Sequence, residues 1–172
     1  MDETSTFVHA LRTWTPEWII AIRLVLACLL GGLIGLEREI GRHDAGIRTH
    51  ILVALGSCAF TLVSWELYQH IRAIEQPATG DPIRIIEAVT AGAGFLAAGI
   101  VFQSGAKVHG LTTGAGVWTA AAIGVACGAG AYVIAALTTL IVLAVLFGLA
   151  ALKRRLGWDD TGVPADRKSP GA

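Results

Sequence analysis

The sequence predicts an all-α membrane protein, a bundle of about five transmembrane helices. Two observations support this fold class. First, 54% of the 172 residues are hydrophobic and only 15% are charged, whereas about a quarter of the residues in soluble domains are charged. Second, the apolar residues are concentrated in blocks of about 20 residues, which is the length that a helix needs to cross a bilayer. The net charge is zero, so the sequence lacks the basic excess that is typical of nucleic-acid-binding proteins.

Five blocks are long enough to be membrane spans, and together they predict one transmembrane domain over residues 18–152. The spans are 18–36, 51–68, 83–102, 111–129 and 131–152. Residues 1–17 are expected to form an extracytoplasmic segment and residues 153–172 a short, irregular cytoplasmic tail. The first block has no basic leader, so we expect it to be retained as a span and not cleaved as a signal peptide.

The distribution of lysine and arginine predicts the orientation of the chain. Nine of these residues fall on one side of the predicted bundle and three on the other. The nine are Arg38, Arg42, Arg48, Lys107, Lys153, Arg154, Arg155, Arg167 and Lys168, and the three are Arg12, Arg72 and Arg84. Because cytoplasmic loops carry the excess of basic residues, the N-terminus is expected outside and the C-terminus in the cytoplasm.

The first two spans resemble the next two when the chain is shifted by 64 residues. The shift places Gly35 on Gly99 and Gly46 on Gly110. One interpretation is a two-helix internal repeat, with the copies related by an axis along the membrane normal. The other is chance matching in a glycine-rich sequence, and the residues alone leave both open.

Three of the charged residues inside the predicted spans stand out, and they are Arg23, Glu66 and Glu87. A charge in hydrocarbon costs roughly 3 kcal/mol or more, so such residues usually pair with one another or line a polar cavity. We expect an Arg23–Glu87 pair, or a cluster that also includes Glu66, on the inside of the bundle. This group would line an entrance for an ion or solute, or it would fix the helix register. Arg23 alone could also extend toward the interface.

A second polar group lies at the junction of spans one and two, and its members are Glu37, Arg38, Glu39, Arg48 and Thr49. Carboxylate oxygens are suitable ligands for a cation, and arginines are suitable for an anionic lipid headgroup. The simpler interpretation is a solvated loop in which opposite charges pair and Thr49 caps the next helix.

The glycines fall within the apolar blocks at spacings that favour close contact between helices. The candidate packing residues are Gly31, Gly35, Gly92, Gly94, Gly99, Gly110, Gly124 and Gly128. Small residues four positions apart allow two membrane helices to approach closely. Broken helices that line a site, near Gly92 to Gly94 and Gly110, are the alternative.

No catalytic set is recognisable in the sequence, so an enzyme is not expected and no cofactor is implied. The five histidines lie outside the spans or at their edges, and the three cysteines have no paired spacing. A phosphate-binding glycine loop with its lysine is also missing from the sequence.

Several motifs occur together in a characteristic order. They are Arg23-Leu24 with Gly31 to Glu39, Ala45 to His50, Asp81-Pro82-Ile83-Arg84-Ile85, Gly92 to Gly99, and Gly110-Leu111-Thr112-Thr113 with Trp118. Over residues 20–135 the chain resembles the MgtC/SapB family of bacterial membrane proteins. It departs from the usual pattern at Ala93, Ala97, His109 and Gly114, and Glu87 is not a position of the family motif.

The resemblance implies a multi-pass inner-membrane protein without catalytic activity. It links the chain to adaptation to low magnesium and, in pathogens, to survival inside macrophages. It also implies action by modulation of other membrane machinery, such as the proton-translocating ATP synthase. Through the motifs, Asp81, Arg84, Thr112 and Thr113 join the candidate functional residues. Larger members carry a soluble C-terminal domain, and this chain is expected to correspond to the short form.

Two functions follow as hypotheses. The first is a regulatory protein that binds another membrane complex, through its glycine faces or its cytoplasmic loop, and supports growth under magnesium limitation or acid stress. The second is a transporter or channel for an ion or small solute that uses Arg23, Glu66 and Glu87, or the polar group at the junction of spans one and two. The expected partners are the lipid bilayer, a membrane protein complex and a second copy of the chain, but not a nucleic acid.

Overall fold

The computed structural model describes residues 13–74, 81, 83–104 and 107–156. Within these residues the chain forms five helices and one two-stranded antiparallel hairpin. The helices are α1 (Glu17–Ile40), α2 (Ile47–Ile74), α3 (Arg84–Ile100), α4 (Leu111–Gly128) and α5 (Tyr132–Leu156), and the strands are β1 (Phe102–Ser104) and β2 (Lys107–His109). The predicted five-helix bundle is confirmed. Most of the two predicted terminal segments, residues 1–12 and 157–172, lies outside the described part.

The outside of the bundle has the properties of a membrane-embedded surface. In the described part of the chain, the helices α1, α2, α4 and α5 are long and apolar enough to cross a membrane by length and composition. Helix α3 has 17 residues, which is at the lower limit for a spanning helix. Large apolar side chains such as Leu29, Val133 and Phe147 are exposed on the helix surfaces. Helices that are apolar on all sides belong in a protein core or in lipid, so the chain is a membrane protein.

Helix α4 lies at the centre and packs on all four other helices. It runs parallel to α2, and both pack against α1. The core where these three helices meet consists mainly of small and medium-sized side chains: Ala27, Ile34, Ala54, Cys58, Ile123 and Cys127. Small side chains allow the helix backbones to approach one another, which is the usual source of contact energy between membrane helices.

Successive helices run in opposite directions, so the bundle has two ends. At the Trp65 end, α1, α3 and α5 begin and α2 and α4 end. At the Glu37 end, α1 and α3 end, α2 and α4 begin, and α5 finishes. These two names are used below for the positions of side chains along the bundle.

The connection between α3 and α4 contains the β1–β2 hairpin, which the sequence did not predict between these two spans. Phe102 pairs with His109, and their ring centroids are 5.3 Å apart. Gly110 follows with φ of +80°, a conformation that glycine adopts without strain. A Cβ at this position would also collide with the carbonyl oxygen of Ile100. Strands of three residues are too short to leave a periodic pattern in the sequence.

Three of the five helices extend beyond the apolar blocks that predicted them. Helix α1 continues to Ile40, α2 runs from Ile47 to Ile74, and α5 reaches Leu156, inside the predicted tail. Helix α1 ends where its last hydrogen bonds are made, with the Gly41 amide donating to the Glu37 carbonyl at 3.0 Å. Backbone hydrogen bonding, and not hydropathy, therefore sets these boundaries.

Helices α4 and α5 are joined by a tight turn. The amides of Gly130 and Ala131 donate to the carbonyls of Cys127 and Ala126, at 3.0 and 2.8 Å. This is the Schellman pattern, which uses a left-handed residue after the helix, and Gly130 has φ of +78°. The turn places the start of α5 directly beside the last residues of α4.

The two helix pairs proposed as repeats, α1–α2 and α3–α4, are both antiparallel hairpins. Their connections differ, because residues 41–46 are irregular whereas the second connection contains the strands. Their contacts differ as well. A Cβ on Gly35 would lie 2.6 Å from the Cα of Ile47, but its counterpart Gly99 has no other atom within 4 Å. The match in sequence thus does not extend to equivalent packing.

Candidate functional site

Arg23 has different partners from those expected. It lies in the second turn of α1, and its guanidinium points toward the end of α4 and the start of α5. Its Nη1 donates to the carbonyl of Gly128 at 2.7 Å and its Nε to the hydroxyl of Tyr132 at 3.2 Å. Among the described residues, neither the predicted Arg23–Glu87 pair nor the larger cluster with Glu66 forms an ion pair. The last carbonyls of a helix carry negative partial charge, which makes the end of α4 a partner for Arg23.

Glu66 is used to hold the chain that enters α1. Its two carboxylate oxygens accept hydrogen bonds from the backbone amides of Trp14 and Thr15, at 2.6 and 3.0 Å. The ring of Trp14 also packs edge-on against His70, with centroids 6.2 Å apart. These contacts tie residues 14 and 15 to the last turns of α2 at the Trp65 end.

Glu87 lies in the first turn of α3 and is exposed. Asp81 precedes this helix and accepts the amide of Ile83 on its Oδ1 at 2.9 Å, while its carbonyl accepts the amide of Arg84. Asp81 therefore stabilises the start of α3 as a capping residue does. The side chain of Arg84 is exposed. An acidic residue in the first turn is favourable because of the helix dipole, which gives Glu87 a local structural explanation.

The second predicted group divides into a buried half and an exposed half at the Glu37 end. Glu37 and Arg38 form an ion pair, and their residues are only 9% and 4% exposed. Glu39 is exposed and its Oε2 accepts the amide of Ile47 at 3.1 Å, which satisfies a free donor at the start of α2. Arg48 is exposed and Thr49 is half-buried. The group thus fixes the loop between α1 and α2 through internal contacts.

His50 is a buried polar residue to which the sequence analysis gave no role. It is fully buried at the start of α2, and its Nδ1 donates to the carbonyl of Gly46 at 2.8 Å. Its Nε2 is buried without a hydrogen-bond partner and faces Gly116 of α4, where a Cβ would lie 3.2 Å away. The one local signal is the spacing of four residues between Gly46 and His50. That spacing allows a side chain to reach back to a carbonyl at a helix start.

The last two polar candidates lie in the first turn of α4. Thr113 is buried, whereas Thr112 is exposed. Thr113 and Gly116 are three residues apart and therefore share one face of α4, and Gly116 is the residue that faces His50. Of the two threonines, Thr113 is therefore the one on the same side of α4 as the contact with the buried His50.

Five of the eight candidate packing glycines lie at close contacts. A Cβ on Gly31 would be 2.7 Å from the Cβ of Ala54, and a Cβ on Gly128 would be 2.7 Å from the carbonyl oxygen of Cys58. At Gly124 a Cβ would collide with the carbonyl oxygen of Ala54. Gly35 and Gly110, described above, behave in the same way. On α1 and α4 these glycines face α2, which is how the three core helices approach so closely.

The three glycines of α3 differ from this expectation. A Cβ on Gly92, Gly94 or Gly99 would meet nothing within 4 Å. Gly92 instead lines a cleft of about 510 Å³ between α2 and α3. Among the residues that line the cleft are Leu52, Gly56, Phe60, Ala88, Gly92 and Leu96. Helix α3 packs mainly on α4 and only weakly on α2, which leaves this face of α3 without a neighbour.

No metal site is found in the part of the chain that the structure describes, since no three His, Cys, Asp or Glu side chains are grouped to hold an ion. The features that remain as candidates for a functional role are charged side chains engaged in structural contacts, the apolar cleft between α2 and α3, and Arg23 at the end of α4.

Comparison with known proteins identifies the family. The family model described as MgtC family matches residues 24–155. "Protein MgtC" of Brucella abortus is 42% identical over 134 residues, which cover 77% of this chain and 52% of that relative. "Putative magnesium transporter YhiD" of Escherichia coli K12 is 38% identical over 138 residues, 78% of this chain and 63% of the relative. "Protein SapB" of Bacillus subtilis is 35% identical over 150 residues, 87% of this chain and 64% of the relative.

These alignments span between about half and two thirds of the length of the relatives. No solved structure matches the chain. The family model covers far more than half of the sequence, and the matched residues extend from the first turns of α1 to the end of α5. The chain therefore belongs to the MgtC family.

Proposed function

We propose that this chain is a bacterial inner-membrane protein that supports adaptation to magnesium limitation, and to acid or host stress, by binding and modulating another membrane complex. Family membership supports the connection with magnesium, since a relative from Escherichia coli carries the name "Putative magnesium transporter YhiD". The chain aligns with only part of the length of these relatives. Their activities are therefore attributed to this chain only as a proposal.

The observation that carries the proposal is the unoccupied face of α3. We call the residues Ala88, Gly92 and Gly99 the open face of α3. Gly92 and Gly99 are two helical turns apart, so they lie on one side of the helix, and neither has a neighbouring atom within 4 Å of a Cβ position. In the core of the bundle, glycines such as Gly31 and Gly35 on α1 and Gly124 on α4 mark direct backbone contact with α2. A partner helix could make the same kind of contact here.

The surroundings of the open face favour a membrane helix as its partner. Gly56 of α2 lies on the opposite wall of the cleft, and it also has no atom within 4 Å of a Cβ position. Leu96 and Phe60, which border the cleft, are exposed. An apolar cleft with glycine on both walls suits the close approach of a helix backbone.

The interior of the bundle gives less support to a transporter. Arg23, Glu66 and Glu37 are engaged in contacts that hold helices and chain ends together. The cleft between α2 and α3 is apolar, and so is a cavity of about 350 Å³ among α3, α4 and α5. Ion pathways need polar groups along their length. Transport remains the second hypothesis, and the name of the Escherichia coli relative is the observation that favours it.

The proposed orientation places the Glu37 end in the cytoplasm and the Trp65 end outside. The excess of lysine and arginine near the Glu37 end supports this orientation. Trp65 and Tyr68, which pack together near the end of α2, are residue types enriched at membrane interfaces. A reporter fused after Ala172 should be active in the cytoplasm, and activity in the periplasm would reverse the orientation.

The main test compares two leucine substitutions at glycines that have open space around them. Gly92→Leu fills the open face of α3, whereas Gly148→Leu changes α5, where a Cβ would also meet nothing within 4 Å. Neither change should disturb the fold of the chain itself. Overpacking a contact costs about 1–3 kcal/mol, so Gly92→Leu should reduce co-purification of a partner complex at least roughly fivefold.

The measurements are co-purification in mild detergent under low magnesium and growth of a strain lacking the gene. We expect wild-type chain and Gly148→Leu to restore growth, and Gly92→Leu to fail at equal protein levels. Full function of Gly92→Leu would contradict binding at this face. Magnesium flux into liposomes containing only the purified chain would replace the proposal with transport.

A further inference from the structure

Arg23 lines a cavity near the Trp65 end. This cavity has no part in the contacts described above. The cavity has a volume of about 290 Å³ and lies between α1, α2, the start of α3 and the end of α4. The residues with polar side chains that line it are Arg23, Thr61, Ser64 and Trp65, and Ile86 contributes to its apolar wall. It is therefore chemically distinct from the apolar cleft between α2 and α3.

The positive charge of Arg23 is only partly compensated. A guanidinium has five N–H donors, and the contacts with Gly128 and Tyr132 use two of them. In the described part of the chain no carboxylate lies within ion-pair distance of Arg23. Glu66 is held by backbone amides, and neither Asp81 nor Glu87 lines this cavity. The carbonyl end of α4 supplies only about half of a negative charge.

The guanidinium is held in a prepared position. Gly130 lies beside it, and a Cβ on this residue would be 2.8 Å from Nη2 of Arg23. Gly130 also has φ of +78°, so a side chain is disfavoured there for two separate reasons. The hydroxyl of Thr61 donates to the carbonyl of Ser57 at 2.8 Å, which fixes its orientation. The lining residues with donors that remain for a ligand are Arg23, Ser64 and Trp65.

The cavity lies toward the end of the bundle that carries the aromatic residues typical of a membrane interface. Arg23 is six residues from the start of α1, or about 9 Å along the helix axis. The side chains of Trp14, Trp65 and Tyr68 are near the same end, and such aromatic residues favour the level of the headgroups. A planar guanidinium with free donors binds phosphate through two parallel hydrogen bonds, which lysine does not provide.

We propose that this cavity binds a phosphate oxyanion, held by the remaining N–H groups of Arg23 and by the hydroxyl of Ser64. The same oxyanion chemistry is offered by the phosphodiester of an anionic lipid headgroup and by inorganic phosphate in the periplasm. The anion completes the neutralisation of a charge that the bundle holds inside the membrane. This site is separate from the open face of α3 and does not depend on the proposed function.

The test uses the purified full chain and two probes, inorganic phosphate in detergent and phosphatidylglycerol in nanodiscs. Thermal unfolding with phosphate is compared with chloride at equal ionic strength. Native mass spectrometry counts retained phosphatidylglycerol. We expect both signals to be lost in Arg23→Gln and retained in Arg155→Gln, which removes an exposed arginine at the other end. The Ser64 hydroxyl would donate to a charged oxygen, so its removal in Ser64→Ala should weaken the apparent affinity at least roughly tenfold.

A response to phosphatidylglycerol alone identifies the lipid as the source, and a response to inorganic phosphate alone identifies the free anion. Because Arg23→Gln also removes the contact with Gly128, it is paired with Arg23→Lys, which keeps the charge. Lysine should retain the fold and weaken oxyanion binding. The proposal is overturned if phosphate acts no more strongly than chloride and phosphatidylglycerol is not retained, or if Ser64→Ala and Arg23→Lys both bind like wild type.

Discussion

The glycines of the α1–α2–α4 core and those of α3 share one sequence pattern but have opposite surroundings. In the core, a Cβ on Gly31 or Gly35 would lie within 2.7 Å of α2, and at Gly124 it would collide with a backbone carbonyl. On α3, a Cβ on Gly92 or Gly99 would have no other atom within 4 Å. The difference arises because α4 is surrounded by other helices, whereas α3 packs mainly on one.

This contrast separates two uses of small residues in membrane helices. Where glycines face another helix of the same chain, they are required by packing, and any larger side chain forces the backbones apart. Where they face open space, the stability of the isolated bundle does not require them. On α3, two such glycines lie on one side of the helix beside an apolar cleft, where the backbone of a helix from another molecule can approach, which is why the open face of α3 carries the proposed function.

The largest loss of stability is expected at the Glu37 end of the core. Arg38→Gln removes one partner of the buried Glu37–Arg38 pair and leaves a buried carboxylate without its counter-ion. Breaking a buried pair in this way costs about 3–5 kcal/mol. Arg48→Gln, at an exposed position of the same region, should change stability by less than about 0.5 kcal/mol. Thermal unfolding in detergent measures the loss of stability in both variants. Equal losses in Arg38→Gln and Arg48→Gln would show that the buried Glu37–Arg38 pair does not contribute to stability.

The five helices could be predicted from the sequence because the length and apolarity of a block are local properties. The apolar block of residues 18–36, for example, predicts a helix without knowledge of its neighbours. The same holds for the family, since the motifs from Arg23 to Thr113 are read directly from the residues. The boundaries were less accurate because hydrogen bonds at helix ends, such as that of Gly41, do not follow hydropathy.

The contacts of the charged residues could not be predicted, because they depend on which helices become neighbours. Arg23 and Glu87 are at similar depths and have opposite charges, yet Arg23 is directed toward the end of α4. The nearer of its two acceptors is the backbone carbonyl of Gly128, and a carbonyl is present at every residue and leaves no signal in the sequence. The burial of His50 is a similar case, since it results from the approach of α4 at Gly116.

A second, smaller effect tests the two classes of glycine directly. Gly124→Ala places a methyl group against the carbonyl of Ala54 and 2.9 Å from the Cβ of Ser57. Overpacking of this kind costs about 1–3 kcal/mol. Gly99→Ala adds the same methyl group in open space and should be neutral or stabilising by about 0.5 kcal/mol, because alanine favours the helix. The thermal midpoints of the two purified variants give the comparison.

If Gly99→Ala destabilised the chain as much as Gly124→Ala, the open face of α3 would have to be occupied within the bundle itself. The distinction between the two glycine classes would then be lost. A result in which Gly124→Ala is neutral would show instead that α2 and α4 can move apart without cost.

The smallest effect is expected where a glycine faces a side chain and not a backbone. In Gly116→Ala the new methyl group would lie 3.2 Å from Nε2 of His50, so a shift of a few tenths of an ångström relieves the contact. We expect a loss of about 0.5–1 kcal/mol, below the usual range for overpacking because the imidazole can yield. His50→Asn removes the part of the imidazole that faces Gly116, including Nε2. The asparagine side chain keeps an amide N–H that can donate to the carbonyl of Gly46.

A double-mutant cycle then locates the origin of the loss. If the imidazole limits the approach of α4, Gly116→Ala should cost almost nothing in the His50→Asn background, which gives a coupling of about 0.5 kcal/mol between the two positions. An equal loss in both backgrounds would mean that the backbone of α2 sets the distance. Gly116 would then belong with Gly124 among the glycines required by backbone contact, and the graded difference between core positions would disappear.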